Sequence, residues 1–449
     1  MTATLALEQN QTSALRRGAC PSLATPMQTG DGLLVRLRPV AAALSAQDLV
    51  ALADLAREHG NGLIEITARG NLQLRGLTEA SVPRLAAGLA AAGIVPQRGV
   101  AIEIPPLADI DPSEAADATP VAEALREAIA AASLVLAPKL AVVVDGGGVL
   151  GLADMVADIR LDAVAMGGTV AWRLSVGGNR QTANAVALLS PDTVVDGAMT
   201  AVAALAAIGP AARGRDLDVA SLAARLGAVS QPAALLASPA HPLGVHTVGG
   251  ETVLGIAPAY GQMRAERLAS LVNDLSACGA FEFRLAPHRT LLVRGLSGKG
   301  MAAAQVCADR AGFWSRDDAP GRSVSICAGS AGCASARFDT HAAADIVVAQ
   351  AGALLDGSVD VHISGCPKGC AHPGAAAVTL CGTAAGVGLV LDGRASDTPV
   401  ASLPKEDLTP AIQRLGTFLH ARRLDGETAK SLLDRTAPAS LVSAYQGQQ

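Results

Sequence analysis

The chain has 449 residues, enough for about three domains, and half of them are hydrophobic, so a sizeable core is available and intrinsic disorder is excluded. Charged residues make up 17% and the net charge is -5, which offers no basic surface to nucleic acid, while aromatics at 2% exclude a base-stacking platform and leave the core to Ala, Val, Leu and Ile. Only Lys139, Lys299, Lys368, Lys405 and Lys430 among the 35 cationic residues are lysines, a bias that fits either a GC-rich genome or a preference for bidentate arginine contacts.

The opening MTATLALEQNQTSALRRGAC has no positive region running into an apolar one, so no secretory leader is read. The most apolar stretch, 128–144, is broken by Pro138 and Lys139 before it reaches the length of a membrane span. A soluble cytoplasmic protein is expected, and in that compartment clustered cysteines read as a metal site rather than a disulfide framework. LLVRLR at 33–38 alternates as a strand, with Arg36 and Arg38 on one face and Val35 and Leu37 on the other. Ser45 caps a helix with apolar Leu49, Leu52 and Ala56, and Gly60 ends it. LIEIT and NLQLR follow as short strands, with Arg69 on the intervening turn and Arg75 on the second strand. The Pro- and Asp-rich stretch 105–120 reads as a connector. After Lys139 an apolar strand enters Gly146-Gly147-Gly148-Val149-Leu150-Gly151, a formal G-x-G-x-x-G, ahead of a helical pattern at 152–159. A second connector spans 231–242, and Leu268, Leu271, Val272 and Leu275 then mark a helix that stops at Gly279. The tail, 401–449, carries one helical pattern and a polar end.

Comparing the chain with itself exposes a duplication. A shift of 219 residues lays 33–77 on 252–296 without a gap, matching Pro39 to Pro258, Leu49 to Leu268, Gly60 to Gly279 and Arg75-Gly76-Leu77 to Arg294-Gly295-Leu296. The same shift lays Val142-Val143-Val144-Asp145-Gly146 on Val361-His362-Ile363-Ser364-Gly365. Each half reads as strand, helix, strand, strand, which cannot cover its own sheet, so two halves packed as a pseudo-twofold ferredoxin-like unit are expected. The expected organisation is a first half at 1–97, an α/β domain at 98–240, a second half at 241–299 and a further α/β domain with the tail at 300–449. The shift also places Gly147 on Cys366 and Gly151 on Cys370. The glycine loop is therefore better explained as the cysteine-free counterpart of a cysteine loop than as a nucleotide site.

Four of the eight cysteines form two pairs, Cys327 and Cys333 in CAGSAGC, and Cys366 and Cys370 in GCPKGC. Soft thiolates flanked by glycine suit iron–sulfur ligation, because glycine lets backbone amides approach the cluster sulfides. A structural zinc site favours two-residue spacing, and plain buried cysteines are the remaining reading.

C-x5-C, a gap of 32 residues and C-x3-C within GCPKGCAHP together resemble the cluster motif of the sulfite and nitrite reductase family. The resemblance extends over nearly the whole chain and implies an α/β (α+β), internally duplicated fold with two ferredoxin-like halves and two α/β domains, one holding a 4Fe-4S cluster on those four cysteines. Thr67-Ala68-Arg69 matches the family's T-x-R, which marks Arg69 as an anion-contacting residue. Leu136-Ala137-Pro138-Lys139-Leu140-Ala141 keeps the first of two family lysines and has Ala141 at the second, which argues against reduction of a small oxyanion. One branch of the family, the tetrapyrrole oxygenases of aerobic cobalamin biosynthesis, is more similar, through RGACPSLATPMQTGDGLLVRLRP at 17–39 together with GCPKGCAHP. That resemblance implies precorrin-3A and O2 as substrates, hydroxylation at C-20 with γ-lactone formation, and NADH as the indirect electron source through a separate reductase. It also implies a mononuclear non-haem iron, for which His362 and His372 are the nearest candidates. A carboxylate-fringed macrocycle calls for arginines, and Arg36, Arg38, Arg69, Arg75 and Lys139 are the candidate substrate contacts, against the alternative of a solvated sheet face. Cys20 lies in the branch-specific segment and otherwise reads as a small buried hydrophobe. Two other functions keep the same cysteines: a sirohaem-dependent sulfite or nitrite reductase, and a non-catalytic iron–sulfur carrier or sensor. No nucleic-acid or membrane partner is expected.

Overall fold

The computed structural model describes residues 21–39, 42–227 and 239–448. Cys20 lies outside them. The first half contains β1 (Met27–Thr29), β2 (Gly32–Leu37), α1 (Ala46–His59), β3 (Leu63–Ile66), β4 (Leu72–Leu77) and α2 (Ser81–Ala91). Helix α1 starts where expected. Ser45 Oγ accepts from the Asp48 amide at 3.1 Å while the Ser45 amide donates to Asp48 Oδ2 at 2.7 Å, a reciprocal cap. Leu49, Leu52, Ala53 and Ala56 form its buried stripe.

Next come β5 (Ala101–Glu103), α3 (Thr119–Ala132), β6 (Ala141–Asp145), β7 (Ala157–Met166), β8 (Thr169–Gly178), β9 (Asn184–Leu189), α4 (Val194–Ile208) and α5 (Val219–Arg225). The helical pattern read at 152–159 is not a helix: a turn follows the glycine loop and β7 begins at Ala157. Ile159, Leu161 and Ala163 enter the apolar core at period two, while Arg160 and Asp162 alternate with them on the opposite face, buried as well. Burial on both faces hid the strand alternation.

The second half holds β10 (Gly244–Val248), β11 (Glu251–Pro258), β12 (Gln262–Arg264), α6 (Ala265–Ala277), β13 (Glu282–Ala286), β14 (Thr290–Arg294), α7 (Gly298–Arg310) and β15 (Phe313–Trp314). The last portion contains β16 (Val324–Ile326), α8 (Gly329–Gly332), α9 (Thr340–Gln350), β17 (Val361–Ser364), β18 (Ala376–Thr383), β19 (Gly386–Gly393), β20 (Ala401–Leu403), α10 (Leu408–Arg422), α11 (Ala429–Arg435) and α12 (Pro438–Gln446). The tail thus forms a strand and three helices rather than one helix and a polar end. Leu432, Leu441 and Tyr445 anchor the last two helices in the core of this portion.

Four five-stranded sheets result, with orders β1-β2-β4-β3-β12, β10-β11-β14-β13 with β15 on β11, β5-β6-β7-β8-β9 and β16-β17-β18-β19-β20. The last two share one pattern, in which the first three strands run parallel and the next two antiparallel. The 219-residue shift carries β6 onto β17 and β7 onto β18, so the duplication read from sequence is structural. Neither ferredoxin-like half closes alone: Leu49 and Leu52 share one core with Leu268, Leu271 and Phe283. Strand β12 crosses to pair with β3, Leu63 opposite Arg264. Among the described residues no helix is long and apolar enough to cross a membrane.

Candidate functional site

Strands β16 and β17 lie parallel, and each ends in a cysteine loop. Ile326 pairs with Ile363, so Cys327 and Gly365-Cys366 leave the sheet together at the carboxyl ends of the strands, where α/β sheets place ligands. The Gly365 amide donates to Cys327 Sγ at 3.1 Å. Burial pushes the Cys327 thiol above its ordinary pKa, the amides of Gly365 and Gly329 oppose that, and the thiols of Cys366 and Cys333 add to it. Three of the four expected ligands therefore share one electrostatic neighbourhood, and the exposed Cys370 ends the second loop. The β1–β2 hairpin covers Cys333: a Cβ on Gly30 would stand 2.7 Å from its Sγ, and the Ala334 amide donates to the Gly30 carbonyl at 3.2 Å.

These residues fit an iron–sulfur cluster, with thiols on two glycine-flanked loops and an amide already aimed at sulfur. Among the described residues no three His, Cys, Asp or Glu side chains converge on a single metal ion. A 4Fe-4S cluster distributes its ligands over four irons and does not require that convergence. The buried Cys381, on β18, is a thiol outside the two sequence pairs. Burial, followed by Cys366 and Cys327, pushes its pKa up to about 12. His362 is buried on β17, and its ring lies 5.6 Å from that of His372, whose Nε2 is 3.1 Å from the Ala375 carbonyl. The structure brings these two together beside the second cysteine pair. Two histidines supply part of a two-His-one-carboxylate set, and a mononuclear iron held by them would need a further ligand.

On the sheet of the first half, Val35 and Leu37 enter the core and Arg36 lies on the other face, as expected. Arg36 Nε and Nη2 donate to Gln73 Oε1 at 3.1 and 2.6 Å, and Gln73 donates to Glu65. Arg75 grips Asp31 through two bonds of 3.0 and 2.9 Å and lies 3.4 Å from Glu65. Burial works against this cation, but Glu65 and Asp31 outweigh it and hold its pKa above the ordinary arginine value. Its charge is thus met inside the chain. Arg38 lies 3.8 Å from Glu103, Arg69 donates to the Val156 carbonyl, and Lys139 is half-buried at the end of β6 away from the glycine loop.

The glycine loop spends its amides internally. Gly147 and Leu152 donate to Asp145, both at 2.9 Å, and Val149 donates to Asp111 at 2.6 Å, leaving a poor phosphate cradle. Arg180 closes on Asp145 at 2.6 Å, and Asp162 receives Arg160 at 2.8, Arg180 at 3.2 and Arg173 at 3.4 Å. Under the 219-residue shift Asp162 falls on Cys381 and Arg160 on Thr379, so an ionic network surrounds the position that the Cys381 thiol holds in the other copy. Burial pushes the Asp145 carboxyl above its usual range despite Arg180. At Asp162 burial is outweighed by Arg160, and the carboxyl is held below it.

Glu114 sits against this loop with both carboxylate oxygens buried and without a hydrogen-bond partner. Burial, with Asp111 next, pushes its pKa from 4.5 to about 9. A raised folded pKa means that the stability linked to this group is present below pH 4.5 and is lost as pH rises towards 9. Glu114→Gln is expected to be more resistant to urea than the parent at pH 8, by about 1–2 kcal/mol, and equal to it at pH 4. Equal resistance at both values would show that Glu114 is ionised in the folded protein.

A second cluster was not legible from sequence. The β13–β14 turn places His288 at φ 56° and Arg289 at φ 63°, and nearby Tyr260 has φ 58°. Such backbone costs about 1–3 kcal/mol per residue. The His288 amide donates to the Ala68 carbonyl at 2.9 Å, so this turn abuts the turn carrying Arg69. The shift that superimposes Arg69 on His288 and Gly70 on Arg289 is the signal that finds it. Arg289 Nη2 donates to Ser325 Oγ at 2.9 Å, two residues before Cys327. His241 stacks 4.7 Å from His288, and burial followed by His288 lowers its pKa to about 4. The crevice between these groups measures only about 10 Å³, room for one water. A larger cavity of about 260 Å³ lies at the amino ends of β17 and β18, lined by Asp360, Asp392 and Asp434 against Lys430. It is the wrong sign for an anionic ligand and lies at the end of β17 opposite Cys366.

Residues 25–92 match the nitrite/sulfite reductase ferredoxin-like half domain. The chain is 46% identical over 439 residues to a precorrin-3B synthase of Sinorhizobium sp., covering 97% of this chain and 95% of that protein. It is 27% identical over 190 residues to the sulfite reductase [NADPH] hemoprotein beta-component of Xylella fastidiosa (strain M23), covering 39% and 33% of the two chains. NirA of Mycobacterium tuberculosis has the same fold, with a TM-score of 0.71 at 20% identity over 91% of this chain and 84% of that one.

Proposed function

The chain belongs to the precorrin-3B synthase family, and from that premise we propose that it catalyses the oxygen-dependent hydroxylation of precorrin-3A at C-20, with closure of a γ-lactone. In this reaction one oxygen atom of O2 enters the macrocycle. The other leaves as water with two electrons and two protons, the electrons drawn ultimately from NADH through a separate reductase. The observation that carries the reading is the identity to a precorrin-3B synthase along nearly the full length of both proteins.

Cys327, Cys333, Cys366 and Cys370 would hold the 4Fe-4S cluster, which when bound supplies single-electron transfer. The Gly365 amide would stabilise thiolate charge on Cys327, and Gly30 lets the first-half hairpin close over Cys333. Arg36, Arg38, Arg69 and Lys139 are proposed to meet acetate and propionate groups of the substrate, with Arg75 tying the β1–β2 hairpin to β4 through Asp31. Arg69 leads this set because its turn bridges to the segment that follows the glycine loop. The proposal for a mononuclear iron rests on His362 and His372. A reducing cytoplasmic compartment suits the free thiols.

The test is protein purified without oxygen, assayed for iron, sulfide, extractable tetrapyrrole and conversion of precorrin-3A under heavy-isotope O2. The expected result is cluster absorbance, iron in excess of sulfide, no sirohaem and one labelled oxygen in the product. Stoichiometric sirohaem with no conversion would replace this reading by a sulfite or nitrite reductase.

A further inference from the structure

Arg289 differs from the other deeply set arginines. Arg75, Arg160, Arg180, Arg284 and Arg294 all close on carboxylates within 3.6 Å. Arg289 has one neutral partner, Ser325, and among the described residues no carboxylate comes within ion-pair distance of it. Burial is the largest influence on it and lowers its pKa, with Asp360 and Glu65 opposing from farther away. A cation held without a counter-charge in protein surroundings is costly unless an anion arrives.

The position is also built. Three of the five non-glycine residues with positive φ among the described residues, Tyr260, His288 and Arg289, gather here. Gly261 makes room for the side chain, since a Cβ there would stand 2.3 Å from Arg289 Cδ. Neighbouring His288 is exposed even though burial depresses its pKa, as happens to a side chain that lines a concavity. Backbone strain concentrated on one cation beside a narrow crevice is the pattern of a ligand clamp.

We infer that Arg289 binds a carboxylate of the substrate on the cysteine-loop side of the junction between its turn and that of Arg69, so that the two abutting turns hold one macrocycle by two of its acid groups. The inference rests on the functional reading above and adds a contact that the sequence motifs did not mark. A guanidinium matches a carboxylate bidentately, and Ser325 fixes Nη2 while leaving the rest of the fork to the ligand.

The experiment measures binding of uroporphyrin III, a stable octacarboxylic tetrapyrrole, and of its octamethyl ester by fluorescence quenching, and KM for precorrin-3A. The wild-type protein is expected to bind the acid and not the ester. Arg289→Gln is expected to weaken binding of the acid and raise KM about 10- to 100-fold, with cluster absorbance and urea midpoint unchanged. Arg289→Lys should recover part of the loss, and Ser325→Ala, which removes only the positioning bond, should weaken binding several-fold without disturbing the fold. Wild-type affinity in both Arg289→Gln and Ser325→Ala would overturn the assignment while leaving the functional reading intact. Failure of the wild-type protein itself both to bind the acid and to convert precorrin-3A would overturn both.

Discussion

Cys370→Ser is expected to lose the cluster absorbance, the acid-labile sulfide and all conversion of precorrin-3A, while Cys381→Ser retains all three. The contrast is informative because Cys381 also lies among these thiols, where Cys366 and Cys327 both add to its raised pKa. Ligation requires a thiolate, and burial at Cys381 keeps its proton on, with Sγ placed 3.7 Å from the Gly382 carbonyl as a weak donor. Cys370 is exposed on a loop beginning at the carboxyl end of β17, where a cluster can be assembled on it. Iron and sulfide per chain, measured alongside the spectra, decide the matter. Loss of cluster from Cys381→Ser with retention in Cys370→Ser would reassign the fourth ligand.

The second large effect lies in the copy without the cysteine loops. Asp162→Asn leaves Arg160, fully buried, with only Asp145 at 3.6 Å to meet its charge, and removes the carboxylate that Arg180 and Arg173 also use. Breaking one side of a buried ion pair costs about 3–5 kcal/mol, because the remaining charge stays desolvated. The loss is expected in urea unfolding at pH 7. Acid should produce a similar loss in the parent: the Asp162 carboxyl is held low, so its stability is present above the usual carboxylate pKa and is lost as pH falls through the depressed value. Replacing Arg160 and Asp162 together by Met and Leu should cost less than Asp162→Asn alone. A cost below about 1 kcal/mol for Asp162→Asn would mean that the network does not support this sheet.

Much of the architecture was legible because duplication repeats its signals. Ser45, the Leu49 and Leu52 stripe and Gly60 define one helix, and their shifted partners define its twin. The paired cysteines stand out in the sequence by their spacing and their glycine neighbours, and the structure brings Cys327, Cys333 and Cys366 into one neighbourhood. What escaped was set by tertiary context. Arg160 and Asp162 disguise a strand because charges that find partners can be buried on both faces, which removes the polar alternation on which the period-two reading depends. The final two helices were missed because their length is short and their stability comes from Leu432, Leu441 and Tyr445 docking on a core assembled from distant strands. Arg289 left no motif, since its importance lies in the carboxylate it lacks, which only coordinates reveal. Glu114 in sequence is one acid among several, and its raised pKa arises from packing against Gly146 and Gly148.

The crossing of β12 onto β3 bears on how such a protein comes to exist at all. Leu63 and Arg264 lie about 200 residues apart, so the edge of the first sheet stays open until more than half the chain has left the ribosome. In the interval β3 presents unpaired backbone groups, a template for mispairing with another nascent chain. Slow closure of this one ladder is expected to set the yield of soluble protein, and to make the junction between the duplicated halves a hazardous place to cut or circularly permute the gene.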